Sequence, residues 1–197
     1  MSVLIFGLSG NPVHLGHINA ANAVSKFFDE VWMMVSNSSN TKNMINAEHR
    51  LAMLKIAVIS NGNPKIKVCD YLIRNNIKES TYHLMKRLKS EYDYNFYFMI
   101  GSDNVADIDN WVEYEKLVKE IDFVIIERNG ADNRALSNLS LFRQYIYFKA
   151  NLPNISSSEI RDKISKRDLS FKDLLDYNVY NYIIDNKLYG LNEWNIL

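Results

Sequence analysis

Val3-Leu4-Ile5-Phe6-Gly7-Leu8-Ser9-Gly10-Asn11-Pro12-Val13-His14-Leu15-Gly16-His17 is the stretch on which the reading of this chain turns. Val3 to Phe6 is an unbroken apolar run, as expected for a strand over Val3–Leu8 covered on both faces in a parallel sheet. A polar turn follows at once. Gly7 and Gly10 allow a sharp bend and a close approach of backbone to ligand, and Ser9 adds a hydroxyl to the free N–H groups of the turn. A helix is expected to begin directly afterwards. His14 and His17 stand three residues apart, one helical turn, so both imidazoles reach the same place at its N-terminus. That end carries partial positive charge and free donors, a ready site for a phosphate chain. Gly16, between them, is expected to leave room for a nucleotide against the backbone.

Outward from this stretch, short apolar runs alternate with helical patterns, the signature of a parallel sheet with crossover helices. Strands are predicted over Val3–Leu8, Glu30–Ser36, Ile66–Asp70, Phe96–Ile100, Phe123–Glu127 and Tyr145–Lys149. Helices are predicted near His17–Phe28, Ala47–Ile59 and Thr81–Glu91. In the second of these Leu51, Leu54, Ala57 and Val58 form one stripe. The tail Asp176–Tyr189 places Val179, Tyr182, Ile183 and Asn186 at helical spacing, as a closing helix would. Ser36–Asn46 and Asn129–Ser140 read as mobile polar loops. The fold class is α/β, a doubly wound Rossmann-like parallel sheet, with ligands expected at the carboxyl ends of the strands near the topological switch.

The chain has 197 residues, 47% of them hydrophobic, enough for one sizeable core, and residues 1–197 are expected to form a single domain. Lys plus Arg is 23 and Asp plus Glu is 23, so there is no basic excess to track a nucleic-acid backbone. One cysteine, Cys69, excludes an internal disulfide framework and fits a reducing, cytoplasmic setting. Its ordinary role is that of a small apolar filler. No segment approaches the ~20 apolar residues that span a bilayer, and the start of the chain reads as a strand rather than a signal peptide.

Gly7 to His17 resembles the signature of the nucleotidyltransferase superfamily whose members carry His-x-Gly-His. Within it the chain is similar to the nicotinate or nicotinamide mononucleotide adenylyltransferases, which usually open Gly-Gly-Thr/Ser-Phe-Asp/Asn-Pro-x-His-x-Gly-His. Here Leu8 stands for the second Gly, Ser9 for Thr and Gly10 for Phe. The last change is expected to leave the loop more flexible. Downstream, Lys42 matches the lysine of the family's His-Lys loop, with Thr41 in the histidine's place. Arg50-Leu51-Ala52-Met53 resembles its Arg-x-x-Met helix, and Arg50 reads equally as a phosphate contact or a surface ion-pair partner. Ser80-Thr81-Tyr82-His83-Leu84 resembles the start of its Thr-x-Asp-Thr-Leu helix. His83 there reads as a helix-face residue. Gly101-Ser102-Asp103, with Trp111 eight residues on, matches its Gly-x-Asp and tryptophan. Asp103 suits ribose hydroxyls, and Trp111 offers a face for a pyridine ring. Arg128-Asn129-Gly130 stands where the family has Arg-Pro-Gly. Ile155-Ser156-Ser157-Ser158-Glu159-Ile160-Arg161 resembles its Ile-Ser-Ser/Thr-x-x-Ile-Arg element, with hydroxyls at a helix start and an arginine one turn later.

The resemblance implies transfer of the adenylyl group of ATP to nicotinate mononucleotide, with pyrophosphate released. It implies ATP contacts from Gly7, Leu8, Ser9, His14, Gly16, His17, Gly101, Asp103, Ile155, Ser156, Ser157 and Arg161. Mononucleotide contacts are implied for Ser9, Asn11, Lys42, Thr81, Trp111 and Arg128. His14, His17, Lys42 and Arg161 would act on the reacting phosphates. The short chain and Arg128-x-Gly130 lean toward the branch that prefers the acid over the amide. Transfer to another phosphorylated acceptor such as phosphopantetheine, a cytidylyl reaction, and a non-catalytic dinucleotide-binding domain are the alternatives. No motif resembles a protein cage for a metal, so Mg²⁺ is expected to arrive with ATP. The expected partners are the two substrates, with neither nucleic acid nor membrane.

Overall fold

A computed structural model describes residues 1–37, 44–127 and 133–193, with residues 192 and 193 described by backbone alone. Six parallel strands form one sheet in the order β3-β2-β1-β4-β5-β6: β1 (Ser2–Leu8), β2 (Glu30–Val35), β3 (Ile66–Val68), β4 (Asn95–Gly101), β5 (Asp122–Ile126) and β6 (Tyr145–Phe148). The predicted strands are all present, with ends shifted by one or two residues. The order reverses at β1, which pairs with β2 on one side and β4 on the other, so that Ile5 lies opposite both Trp32 and Phe98. This is the topological switch, and it puts the end of β1 beside the end of β4.

Nine helices accompany the sheet among the described residues: α1 (Leu15–Ser25), α2 (Ala47–Asn61), α3 (Tyr71–Arg74), α4 (Thr81–Glu91), α5 (Ser102–Val105), α6 (Tyr114–Glu120), α7 (Asn133–Asn138), α8 (Ser157–Ser165) and α9 (Tyr177–Asp185). Two apolar clusters cover the two faces. Leu4, Leu8, Val31, Met33 and Val124 meet residues of α1, α2, α8 and α9 on one side. Val3, Ile5, Phe98, Phe123 and Ile125 meet α4 and α6 on the other. Successive residues of β1 thus feed opposite cores, and Val3, Leu4 and Ile5 have no solvent exposure. The unbroken apolar run is explained by that two-sided burial.

The tail closes the first face. Val179 and Ile183 of α9 are buried, Tyr182 shares a 2.8 Å hydrogen bond with His49 Nδ1, and Asp176 Oδ1 accepts from Ser60 Oγ at 3.1 Å. Asn186 is exposed and takes no part in the stripe. The stretch read as the second loop is only partly irregular, because residues 133–138 form α7. Only Ala135 of that helix is buried, too little apolar periodicity to betray it. No described helix is long and apolar enough to cross a membrane.

Candidate active site

The loop leaving β1 is fixed by donors from three other parts of the chain. Arg50, on α2, is almost fully buried, and its Nη1 donates to the Ser9 carbonyl at 2.7 Å while Nε donates to that of Ile45 at 3.1 Å. Burial lowers its pKa, since removal from water penalises the charged form. Arg50 is therefore not a surface ion-pair partner but a brace that joins this loop to the segment after β2. Asn11 Oδ1 accepts from the Ile45 N–H at 3.3 Å, a second tie between the same two segments. From α8, Arg161 Nη1 donates to the Asn11 carbonyl at 2.6 Å and Ser157 Oγ to that of Pro12 at 2.8 Å. Gly10 is not loose either. It is buried at φ 59°, and a Cβ there would lie 3.1 Å from both Val13 and Val35. The expected flexibility is replaced by a tight left-handed turn that only glycine fits.

His14 occupies the cap position of α1 with extended backbone, and the turn it closes brings the two imidazoles into a stack, centroids 3.6 Å apart and planes 29° apart. His17 Nδ1 accepts from the His14 N–H at 3.2 Å. That bond fixes the tautomer of a neutral His17, whose proton must then be on Nε2. Gly16, which lines a cavity beside the pair, has a further reason besides the one expected. A Cβ there would meet His14 Nδ1 at 2.9 Å and Cε1 at 3.0 Å, so glycine is what lets the His14 ring lie down on its own turn.

Around this pair three cavities open at the carboxyl edge of the sheet. The first, about 320 Å³, is lined by Gly7, Leu8, Ser9, His14, Gly16 and His17 on one side and by Gly101, Asn104, Trp111, Leu152 and Pro153 on the other. The second, about 410 Å³, lies between β1 and α4 and takes Gly7, Leu8, Ser9, Ser36, Glu79, Ser80, Thr81 and Trp111. The third, about 310 Å³, lies between the loop and α8, with Ser9, Asn11, His14, His17, Met44, Ser156, Ser157, Ser158 and Arg161. Ser9 borders all three, and the histidine pair is shared by the first and third. Trp111 is half-buried, stands edge-on to Phe98 at 6.4 Å and 81°, and divides the first cavity from the second.

Most of the residues singled out in the sequence are gathered here, but not all as expected. Asp103 is exposed on α5 and its neighbour Asn104 takes the lining position. Ile155 is buried behind the site, 3.5 Å from where a Gly16 Cβ would be. Asn11 borders the third cavity, apart from Thr81 and Trp111 in the second. Of the three hydroxyls at the start of α8, Ser156 caps the helix by accepting from the Glu159 N–H at 3.1 Å, Ser157 holds Pro12, and Ser158 accepts from Arg161 Nη2 at 3.2 Å. Lys42, Thr41 and Arg128 lie outside the described residues. The sequence reading passed over Leu152 and Pro153, which carry no chemistry of their own, and over the bracing role of Arg50.

The arrangement offers hydrogen-bond donors around a phosphate-sized space, flanked by two cavities with flat or small apolar walls. A cytidylyltransferase-like family model matches residues 6–163, which include the whole of this edge. Among curated relatives, a probable nicotinate-nucleotide adenylyltransferase of Acholeplasma laidlawii is 28% identical over 198 residues, 95% of this chain and 97% of that protein. One of Borrelia hermsii is 31% identical over 194 residues, 96% and 98% of the two chains. Among solved structures, the Plasmodium falciparum nicotinic acid mononucleotide adenylyltransferase complexed with NaAD superposes with a TM-score of 0.83 at 30% identity, over 97% of this chain and 98% of that one.

Proposed function

Because the chain belongs to the cytidylyltransferase-like family and, within it, to the nicotinate-nucleotide adenylyltransferases, we propose that it joins the adenylyl group of ATP to nicotinate mononucleotide. The products are the deamido dinucleotide and pyrophosphate. The observation that carries this reading is the meeting of three cavities at Ser9, with the histidine pair shared by the first and third. A nucleoside, an acceptor mononucleotide and a polyphosphate each need a separate space, and the reaction needs them to share one corner.

A phosphate oxygen of the acceptor attacks the α-phosphorus, and the bond to the β,γ-pyrophosphate breaks. The nucleophile is already an anion, so no base is needed, and catalysis rests on positioning and charge stabilisation. His17 donates from Nε2 to the transferring group, and His14 stacked on it holds that ring in place. Arg161 spends two N–H groups on Asn11 and Ser158, and its remaining donors serve the β- and γ-phosphates in the third cavity. Ser9, Ser156 and Ser158 add hydroxyls there. Adenosine takes the first cavity between Gly16 and Gly101. The mononucleotide takes the second, with Thr81 at the start of α4 and the pyridine ring on Trp111. Lys42 and Arg128 are assigned to the phosphates and the acceptor by resemblance.

Mg²⁺ fits as part of the substrate. No cluster of three metal-binding side chains exists among the described residues, and the third cavity is lined by imidazoles, hydroxyls and a guanidinium rather than carboxylates. Held by phosphate oxygens and water, the ion would screen the charge that repels the attacking anion. We take residues 1–197 as a single domain working in a reducing, cytoplasmic compartment.

The test is a parallel assay of ATP with nicotinate mononucleotide, nicotinamide mononucleotide and phosphopantetheine. The acid should be favoured over the amide at least tenfold in kcat/KM. An amide placed against donors meant for a carboxylate leaves buried groups unpaired, at about 1–3 kcal/mol. Equal values for acid and amide would overturn that preference, and no pyrophosphate release with any acceptor would overturn the transferase reading.

A further inference from the structure

Two segments line one part of the second cavity: the start of α4 with Ser80 and Thr81, and the Asn110–Val112 stretch that carries Trp111. His83 spans them. Its Nδ1 lies 2.9 Å from Ser80 Oγ, and its Nε2 lies 3.1 Å from Glu113 Oε2. In the neutral ring the Ser80 hydroxyl donates to Nδ1, while Nε2 meets the carboxylate at ion-pair distance but out of hydrogen-bond alignment, since Glu113 Oε2 has no hydrogen-bond partner among the described residues. Ser80 Oγ meanwhile accepts from the His83 backbone N–H at 3.4 Å, which also caps the helix.

Glu113 is placed with care. It has φ 56° and ψ 37°, a left-handed conformation that a non-glycine residue keeps only where its surroundings hold it. Its Oε1 accepts from Lys116 Nζ at 2.7 Å, and its Oε2 is buried with His83 Nε2 facing it. The Lys116 hydrogen bond lowers the Glu113 pKa, burial opposes it, and the Lys116 charge adds to the lowering. Further links bind the same pair of elements: Lys116 Nζ lies 5.8 Å above the Tyr82 ring, Tyr82 Oη donates to Glu120 Oε2 at 3.0 Å, and Lys86 and Lys89 reach Glu120 from farther along α4. The left-handed residue sits two positions beyond Trp111, where the chain turns into α6, and the Tyr114 N–H donates back to the Trp111 carbonyl at 3.2 Å.

We propose that His83 is a positioning residue for the acceptor: it clamps Glu113 to the start of α4 and so sets the distance between Thr81 and the Trp111 ring, the two sides of the slot for the pyridine mononucleotide. The proposal rests on the assignment of the second cavity to that substrate. His83 touches neither ATP nor the reacting phosphates, and it acts through the Trp111 segment. Loosening the clamp widens the slot and weakens acceptor binding, while the histidine pair and the phosphate cavity stay as they are.

The experiment is a double-mutant cycle in the full chain, read as KM for nicotinate mononucleotide, KM for ATP, kcat and melting temperature. His83→Ala and Glu113→Ala should each raise the acceptor KM about fivefold, and the double variant no further, since the pair acts as one contact. The ATP KM should stay within about twofold. His83→Gln, whose amide nitrogen reaches the Nε2 position, should restore the acceptor KM. His83→Asn, which keeps only the Ser80 contact, should not. An unchanged acceptor KM in His83→Ala, or additive effects of the two alanines, would overturn the clamp. So would an equal rise in both KM values together with a lower melting temperature. If the unsubstituted chain turns over no mononucleotide, the assignment of the cavity falls and the clamp with it.

Discussion

Two aromatic rings 3.6 Å apart at a helix start are held there by what lies around them, and the smallest neighbour matters most. A methyl group on Gly16 would sit 2.9 Å from His14 Nδ1, closer than packed atoms tolerate. Gly16→Ala is expected to push the His14 ring off its partner and lower kcat at least as far as His17→Ala. For His17→Ala the loss should be ~10²-fold, the scale for one preorganised transition-state donor. In both, ATP binding measured by titration should weaken far less than turnover. Wild-type kcat in either would remove the pair from the chemistry. His14 and His17 are legible in the sequence because their spacing brings both to one helix start, and the Ile155–Arg161 element is legible through its resemblance to the family's motif. The further reason for Gly16 is not legible, since it depends on a rotamer. Nor is the role of Arg50, since its partners are carbonyl groups that belong to no motif.

The elements carrying these residues hold one another by side chains that reach backbone. α2 and α8 lie on the same face of the sheet, and each sends an arginine to a carbonyl of the loop between β1 and α1. A guanidinium does this as a rigid fork, whereas an ammonium offers a single point. Arg50→Lys therefore keeps the charge but cannot reach Ser9 and Ile45 together. It should cost on the order of 2 kcal/mol of stability, read from the urea midpoint, and a further loss of kcat in conditions where the variant remains folded. Wild-type values of both would show that the loop holds its shape alone. The strands and the longer amphipathic helices were readable from apolar periodicity. α7, with one buried residue, was not, and α3 and α5 are single turns too short for any period to register.

At the scale of the molecule, the last described turn packs against α8 and α9. The turn over residues 188–193 sets Tyr189 at φ 60° with its hydroxyl buried and without a hydrogen-bond partner among the described residues, near enough to Arg50 and Arg161 to feel both charges. Burial raises its pKa well above the ordinary phenol value, and the two arginines only partly oppose this. A raised folded-state pKa means that the stabilisation is complete below about pH 10 and is lost as pH climbs from there toward the folded value. Tyr189→Phe should melt no lower than wild type at pH 7 and should flatten the alkaline decline above pH 10. Tyr71, raised to about 12 mainly by burial and then by Glu91, leaves part of that decline in place. A steeper decline in the variant would refute this account. The strand order has a last consequence, for the path by which the chain acquires its shape. β1 is made first yet ends in the middle of the sheet, and its two neighbours lie at very different distances along the chain. Closing the short loop to β2 costs less entropy than closing the long one to β4. A central parallel strand sends alternate amides to opposite sides, so during refolding every second amide of β1 gains protection with β2. The other set waits, open to solvent, until β4 docks.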